Sequence, residues 1–241
     1  MRIIIADDYE EMSKIAANIV RSQVVVKPDA VIGLATGGTP LGMYRNLIKL
    51  YENEEVDFSE VSIINLDEYC NLSKDNPHSY YYYMKHNFIQ YINVKTENTY
   101  IPNGTAEDAD EECRNYEKLI KDKGGIDLQV LGIRVNGHIG FNEPNVNFEA
   151  GTHLVRLEEL TIQSNSRFFD SNDEVPATAI SVGIKTILQS RMLVLLANGE
   201  KKADAIYKTV KGKICPEVPS SILQLHPNAI LIIEKNAAKL L

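Results

Sequence analysis

The sequence predicts an α/β protein with a single doubly wound, mostly parallel sheet and helices on both faces, a three-layer sandwich formed by residues 1–241 as one domain. Three observations predict it. Short, continuously apolar runs recur along the chain, as strands buried on both faces require. Longer segments with apolar residues at helical spacing separate them. No linker, low-complexity tract or internal repeat interrupts the alternation.

Taken in order, Ile3–Ala6 reads as a strand and Glu10–Val24 as an amphipathic helix. Ala30–Ala35 is the second strand, followed by a Thr-Gly-Gly-Thr-Pro turn and a helix over Leu41–Glu52. Val61–Leu66 is the third strand, and Ser79–Tyr91 is helical despite its aromatics. Its run Tyr80–Tyr83 reads as packing, because consecutive helical residues face all sides. Glu107–Lys123 is a charged helix closed by Gly124-Gly125, a C-terminal stop signal. Leu128–Ile133 is an apolar strand. Glu158–Phe169 reads as helix, since only Thr161 and Ile162 in it are β-branched. Strand Ala179–Val182, helix Ile184–Gln189, strand Met192–Ala197, helix Lys201–Val210 and strand Ala229–Glu234 complete a Rossmann-like alternation.

A net charge of −8 and a pI near 5.2 argue against nucleic acid or an anionic membrane as partner, since both need a basic footprint. Any anion site must therefore be local. Cys70, Cys113 and Cys215 are far apart and form no CxxC pair, which suits a reducing compartment rather than a disulfide or zinc framework. The chain opens on the strand-like Arg2–Ile5 without a signal-peptide pattern, and no apolar run reaches the roughly 18–20 residues of a membrane helix. A soluble, cytoplasmic protein is expected. Nothing in the sequence chooses between a monomer and a homo-oligomer.

Open parallel sheets bind ligands at the carboxyl ends of their strands. Three polar clusters follow strands directly. In Thr36-Gly37-Gly38-Thr39-Pro40, paired glycines let the backbone approach an anion, and the next helix presents free N–H groups. The turn is neither a Walker A sequence nor GxGxxG, so a nucleotide is not implied. Asp67-Glu68 places carboxylates at a strand end, as general base, metal ligand or helix cap. No His-rich set at ligand spacing accompanies them, so no metal is expected. In Asn136-Gly137-His138-Ile139-Gly140-Phe141-Asn142-Glu143-Pro144, a histidine shares a loop with a carboxylate able to orient it, the usual requirement for acid/base work. Arg167 and Lys202 are candidate phosphate cations.

Together these segments resemble the glucosamine-6-phosphate deaminase family. The resemblance rests on Gly33–Pro40, Asn65–Tyr69, Asn136–Pro144, Asn165–Phe169 and Leu223–His226, in family order across nearly the whole chain. It implies a cofactor-free and metal-free reaction of an amino-sugar phosphate. The phosphate would be held by Thr36, Gly37, Gly38, Thr39, Arg167 and Lys202. His138, supported by Glu143 and Asn136, would open the ring. Asp67 would carry a proton from C2 to C1, giving an imine that water hydrolyses to fructose 6-phosphate and ammonia. Two departures stand out. Arg134 occupies a position where the family usually has glycine, and a positive φ there would strain the loop. The chain also lacks the longer C-terminus of allosteric members, with His153 and Val155 in the corresponding region, and so looks like the short, unregulated form. A 6-phosphogluconolactonase resembles it in fold but lacks the Phe141–Pro144 continuation. A galacto-specific deaminase would differ in the orientation of one substrate hydroxyl, which is not legible in sequence. A non-catalytic sugar-phosphate sensor could keep the fold and the phosphate loop, but would not need Asp67, His138 and Glu143 together.

Overall fold

The computed structural model describes residues 1–159, 161–162 and 175–241. In chain order the strands are β1 (Arg2–Ala6), β2 (Val31–Leu34), β3 (Ser62–Asn65), β4 (Asp67–Tyr69), β5 (Thr99–Tyr100), β6 (Leu128–Gly132), β7 (His153–Arg156), β8 (Thr178–Ser181), β9 (Met192–Ala197) and β10 (Ala229–Glu234). The helices are α1 (Tyr9–Val26), α2 (Leu41–Glu52), α3 (Tyr80–Asn87), α4 (Ala109–Asp122), α5 (Ile184–Leu188) and α6 (Ala203–Lys211). Seven strands form one sheet in the order β1-β10-β9-β6-β2-β3-β5, parallel throughout. Their carboxyl ends consequently share one edge.

Alternation along each strand divides the core in two. Val194 and Leu196 of β9 join Ile32, Leu34 and Ile63 against Met12, Ala16, Val20, Met43 and Leu47 of α1 and α2. Leu193, Leu195 and Ala197 face the other way, with Val31, Ile64 and Leu131, onto Tyr116, Ile120, Ile187 and Ile206 of α4, α5 and α6. Helices therefore cover both faces, as the uniformly apolar strands predict. The helix starts follow local rules. Asp8 accepts the Glu11 N–H at 2.8 Å while Glu11 accepts the Asp7 N–H at 2.6 Å. Asp108 caps α4 at 2.9 Å, and Gly124 and Gly125 end it with φ of 85° and 82°.

The main departure from expectation is a second sheet. Ala179–Val182 reads as another parallel strand, but β8 lies antiparallel between β4 and β7 in a separate three-stranded sheet. A short apolar run specifies a strand but not its partner, because pairing here is non-local. Leu66 is the crossing point. Its N–H reaches the Leu34 carbonyl of the large sheet at 3.3 Å, and its carbonyl accepts the Val182 N–H at 2.8 Å. Asp67 is thus the first residue of the second sheet, opposite Ser181. The expected helix over Glu158–Phe169 begins as predicted, with the Ile162 N–H on the Glu158 carbonyl at 3.0 Å. Most of it, Arg167 included, lies outside the described residues. The expected helix Ser79–Tyr91 is shorter: α3 ends at Asn87, and Ile89–Tyr91 is a separate 3₁₀ turn.

Candidate active site

The loops after β2, β6 and β9, with Asp67 beyond β3, line one cavity at the carboxyl edge of the large sheet. In the loop after β6, the His138 side chain is almost fully buried and its Nδ1 lies 2.7 Å from Glu143 Oε2. Glu143 also receives Asn136 Nδ2 at 3.0 Å and Thr161 Oγ1 at 2.5 Å. Burial alone would raise the Glu143 pKa, but the His138 contact, Thr161 and Asn136 outweigh it and hold the carboxyl below its ordinary value. An ionised Glu143 only accepts hydrogen bonds, which assigns the proton to Nδ1. In a neutral ring that leaves Nε2 as the acceptor nitrogen. Asn136 additionally receives the His138 N–H at 3.3 Å. It ties the backbone and the carboxylate of the loop together.

The glycines of this loop absorb its unusual backbone. Gly137 has φ of 86° and Gly140 has φ of 57°. Among the described residues, the non-glycine positions with positive φ are Glu54 and Asn71, so Arg134 carries no left-handed strain. The Arg134 N–H reaches the His138 carbonyl at 3.3 Å, and its own carbonyl accepts the Gly137 N–H at 3.0 Å. Arg134 is among the residues that line the cavity. A Cβ at Gly140 would crowd Ser181 Oγ at 3.2 Å and meet Asp67 Oδ2 at an ordinary 3.5 Å.

Asp67 is only 6% exposed, and no described residue donates a hydrogen bond to its carboxylate. Burial, then the neighbouring Glu68, pushes its pKa up to about 7, against the pull of the Arg134 charge. Such a group exchanges protons near neutrality, as a general base must. Glu68 has a different task. It accepts the N–H groups of Tyr69, Tyr80 and Tyr81 at 2.8–2.9 Å, fastening the start of α3 to β4. Tyr80 then stacks on Phe141, in the loop after β6, at 5.9 Å.

The other end of the cavity is lined by Thr36, Gly37, Gly38, Thr39 and Lys202. Lys202 Nζ donates to Thr39 Oγ1 at 2.9 Å, and that hydroxyl donates to Asn198 Oδ1 at 2.8 Å. A cation and a glycine turn ahead of a helix thus line one space, the combination a phosphate site uses. Of the site residues predicted from sequence, Arg167 alone lies outside the described residues. The sequence did not single out Asn198, Thr161 or Glu158, whose Oε2 lies 3.4 Å from Asn136 Nδ2. Each is an ordinary polar residue remote in sequence from its partner. Only Asn198, directly after β9, had a strand-end position that could have marked it. Among the described residues no group of three or more His, Cys, Asp and Glu could hold a metal.

A parallel sheet with a buried His–Glu pair and a glycine turn along one edge fits the class described as glucosamine-6-phosphate isomerases/6-phosphogluconolactonase, a family that matches residues 7–232. The chain belongs to that family and is an enzyme. A glucosamine-6-phosphate deaminase from Clostridium acetobutylicum is 60% identical over the full length of both chains. One from Clostridium botulinum is 58% identical over 99% of this chain and 98% of its own. Among solved structures, a monomeric glucosamine-6-phosphate deaminase superposes with a TM-score of 0.98 at 47% identity, covering all of both chains. A 6-phosphogluconolactonase from Trypanosoma cruzi shares the fold, with a TM-score of 0.78 at 16% identity over 99% of this chain and 96% of its own.

Proposed function

We propose that the protein converts glucosamine 6-phosphate to fructose 6-phosphate and ammonia. The observation that carries this reading is the opening of Asp67 and the Glu143-bound His138 into one cavity with the Thr39–Lys202 contact. The names of the relatives at 58–60% identity support it. The phosphate monoester sits against Thr36–Thr39 and Lys202, with Arg167 as a further cation. His138 Nε2 removes the proton of the C1 hydroxyl and delivers it to the ring oxygen, and Glu143 and Asn136 steady the imidazole. With C1 now an aldehyde, Asp67 takes the C2 proton to give an enolamine and returns it to C1, while one proton passes from the C2 nitrogen to O1. The resulting C2 imine adds water and expels ammonia. Every proton is returned, so the sequence consumes one water and calls for neither metal nor organic cofactor.

We place this activity in the cytoplasm. The supports are three free thiols, two of them buried, and the absence among the described residues of any helix long and apolar enough to cross a membrane. The test is ammonia release from glucosamine 6-phosphate, measured beside its galacto epimer, with 6-phosphogluconolactone hydrolysis in parallel. Deamination with the gluco sugar preferred is the expected result. Lactone hydrolysis without ammonia release would overturn the reading.

A further inference from the structure

Two tyrosines bond the backbone of the glycine loop, and one of them, Tyr9, also lines the cavity. Tyr9, which opens α1, accepts the Gly42 N–H at 2.8 Å and donates its hydroxyl to the Gly38 carbonyl at 3.1 Å. Tyr83, on α3, donates to the Gly37 carbonyl at 2.6 Å. Burial, and then the nearby Tyr9, push the Tyr83 phenol well above its ordinary range, so it stays a donor at any working pH.

A trans peptide points its C=O and the following N–H in opposite directions. Anchoring the carbonyls of Gly37 and Gly38 therefore aims the N–H groups of Gly38 and Thr39 away from the tyrosines. Both residues line the cavity, and no described residue accepts either N–H. Sterics alone would not hold these peptides. Gly37 sits at φ of 94°, and a Cβ built on Gly37 or Gly38 would meet nothing within 4 Å. A glycine pair in open space is free to rotate its peptide planes. Rotation would turn a carbonyl oxygen toward an incoming anion. The hydroxyls remove that freedom before the ligand arrives.

We propose that Tyr9 and Tyr83 are positioning residues that preset the Gly37–Thr39 backbone as a cradle for the substrate's phosphate monoester. This rests on the assignment of that loop to the phosphate. The experiment compares the full chain with Tyr9→Phe, Tyr83→Phe and the double variant. It measures kcat and KM for glucosamine 6-phosphate and competitive inhibition by inorganic phosphate. Each lost hydroxyl should raise KM and the phosphate inhibition constant together by about three- to tenfold, the size expected of one hydrogen bond. In the double variant the rise should exceed about tenfold, with kcat within about twofold of the parent. A double variant with unchanged KM and phosphate inhibition would overturn the proposal, as would a fall in kcat with KM unchanged. Melting curves accompany the kinetics, and if Tyr83→Phe fails to fold, Tyr9→Phe alone carries the test. Lys202→Ala separates the two levels. Unchanged phosphate inhibition in that variant would remove the phosphate from this loop altogether. Weakened inhibition there beside unaltered tyrosine variants would overturn the tyrosine assignment alone.

Discussion

Asp67 holds its raised pKa at a cost to the fold. Burial and Glu68 raise it from 3.8 to about 7, so the native chain holds this proton more tightly than the unfolded chain does. The stability contributed by the protonated form is complete below about pH 4 and is lost as pH rises through about 7. Removing the charge should therefore stabilise the protein where the enzyme works. Asp67→Asn should melt a few degrees above the parent at about pH 8, and the gap should close toward about pH 4. The same variant should lose nearly all turnover and C2 hydrogen exchange while still binding substrate. Parent-like exchange would remove Asp67 from the mechanism. Arg134 tests the electrostatics from the other side. Its charge favours the ionised base, so Arg134→Met should move the acid limb of kcat/KM to higher pH. An unmoved limb would show that this charge does not reach Asp67. In the proposed reaction, the Nδ1 contact to Glu143 leaves the Nε2 of His138 for the ring oxygen. His138→Gln should lower kcat on the cyclic sugar by about a hundredfold or more and largely spare enolisation of an open-chain analogue. Equal loss on both would place the histidine at a later step.

At the scale of elements, the loop after β6 shows how tightly the backbone is specified. A Cβ at Gly137 would stand 2.9 Å from Val218 Cγ1, and φ there is 86°. Gly137→Ala should cost about 1–2 kcal/mol of stability from the backbone conformation alone, read from denaturant midpoints at constant slope. A variant as stable as the parent would mean the loop relaxes freely. Much of this level was legible in the sequence. Asn136, His138 and Glu143 lie within one loop, so their meeting needs only a turn. Thr36–Thr39 announces itself by glycines between a strand and a helix. What was not legible is what pairs across distance. The β4, β7 and β8 strands are three or four residues long, and nothing in Ala179–Val182 names Asp67–Tyr69 as its neighbour. Asn198 meets Thr39 across 159 positions of sequence. Residue type alone makes Arg134 look costly. The backbone resolves this by placing positive φ at Gly137 and Gly140 instead.

On the scale of the molecule, the two halves of the proposed catalytic apparatus belong to different sheets. The His138 loop hangs from β6 of the large sheet, whereas Asp67 opens β4 of the small one. Leu66 bridges them, with its N–H on one and its carbonyl on the other. Ser181 adds a second tie, its Oγ accepting the Phe141 N–H at 3.0 Å, and Asn142 Nδ2 reaches the Val182 carbonyl at 2.9 Å. The distance between Asp67 and His138 is then a property of a joint, and neither sheet fixes it alone. A joint fails before the beams it connects. Warming should misalign the two groups while the seven-stranded frame is still intact, so activity should disappear at a lower temperature than helical ellipticity. Ser181→Ala, which removes one tie, should widen that interval, and coincident loss in both proteins would show that frame and joint melt as one.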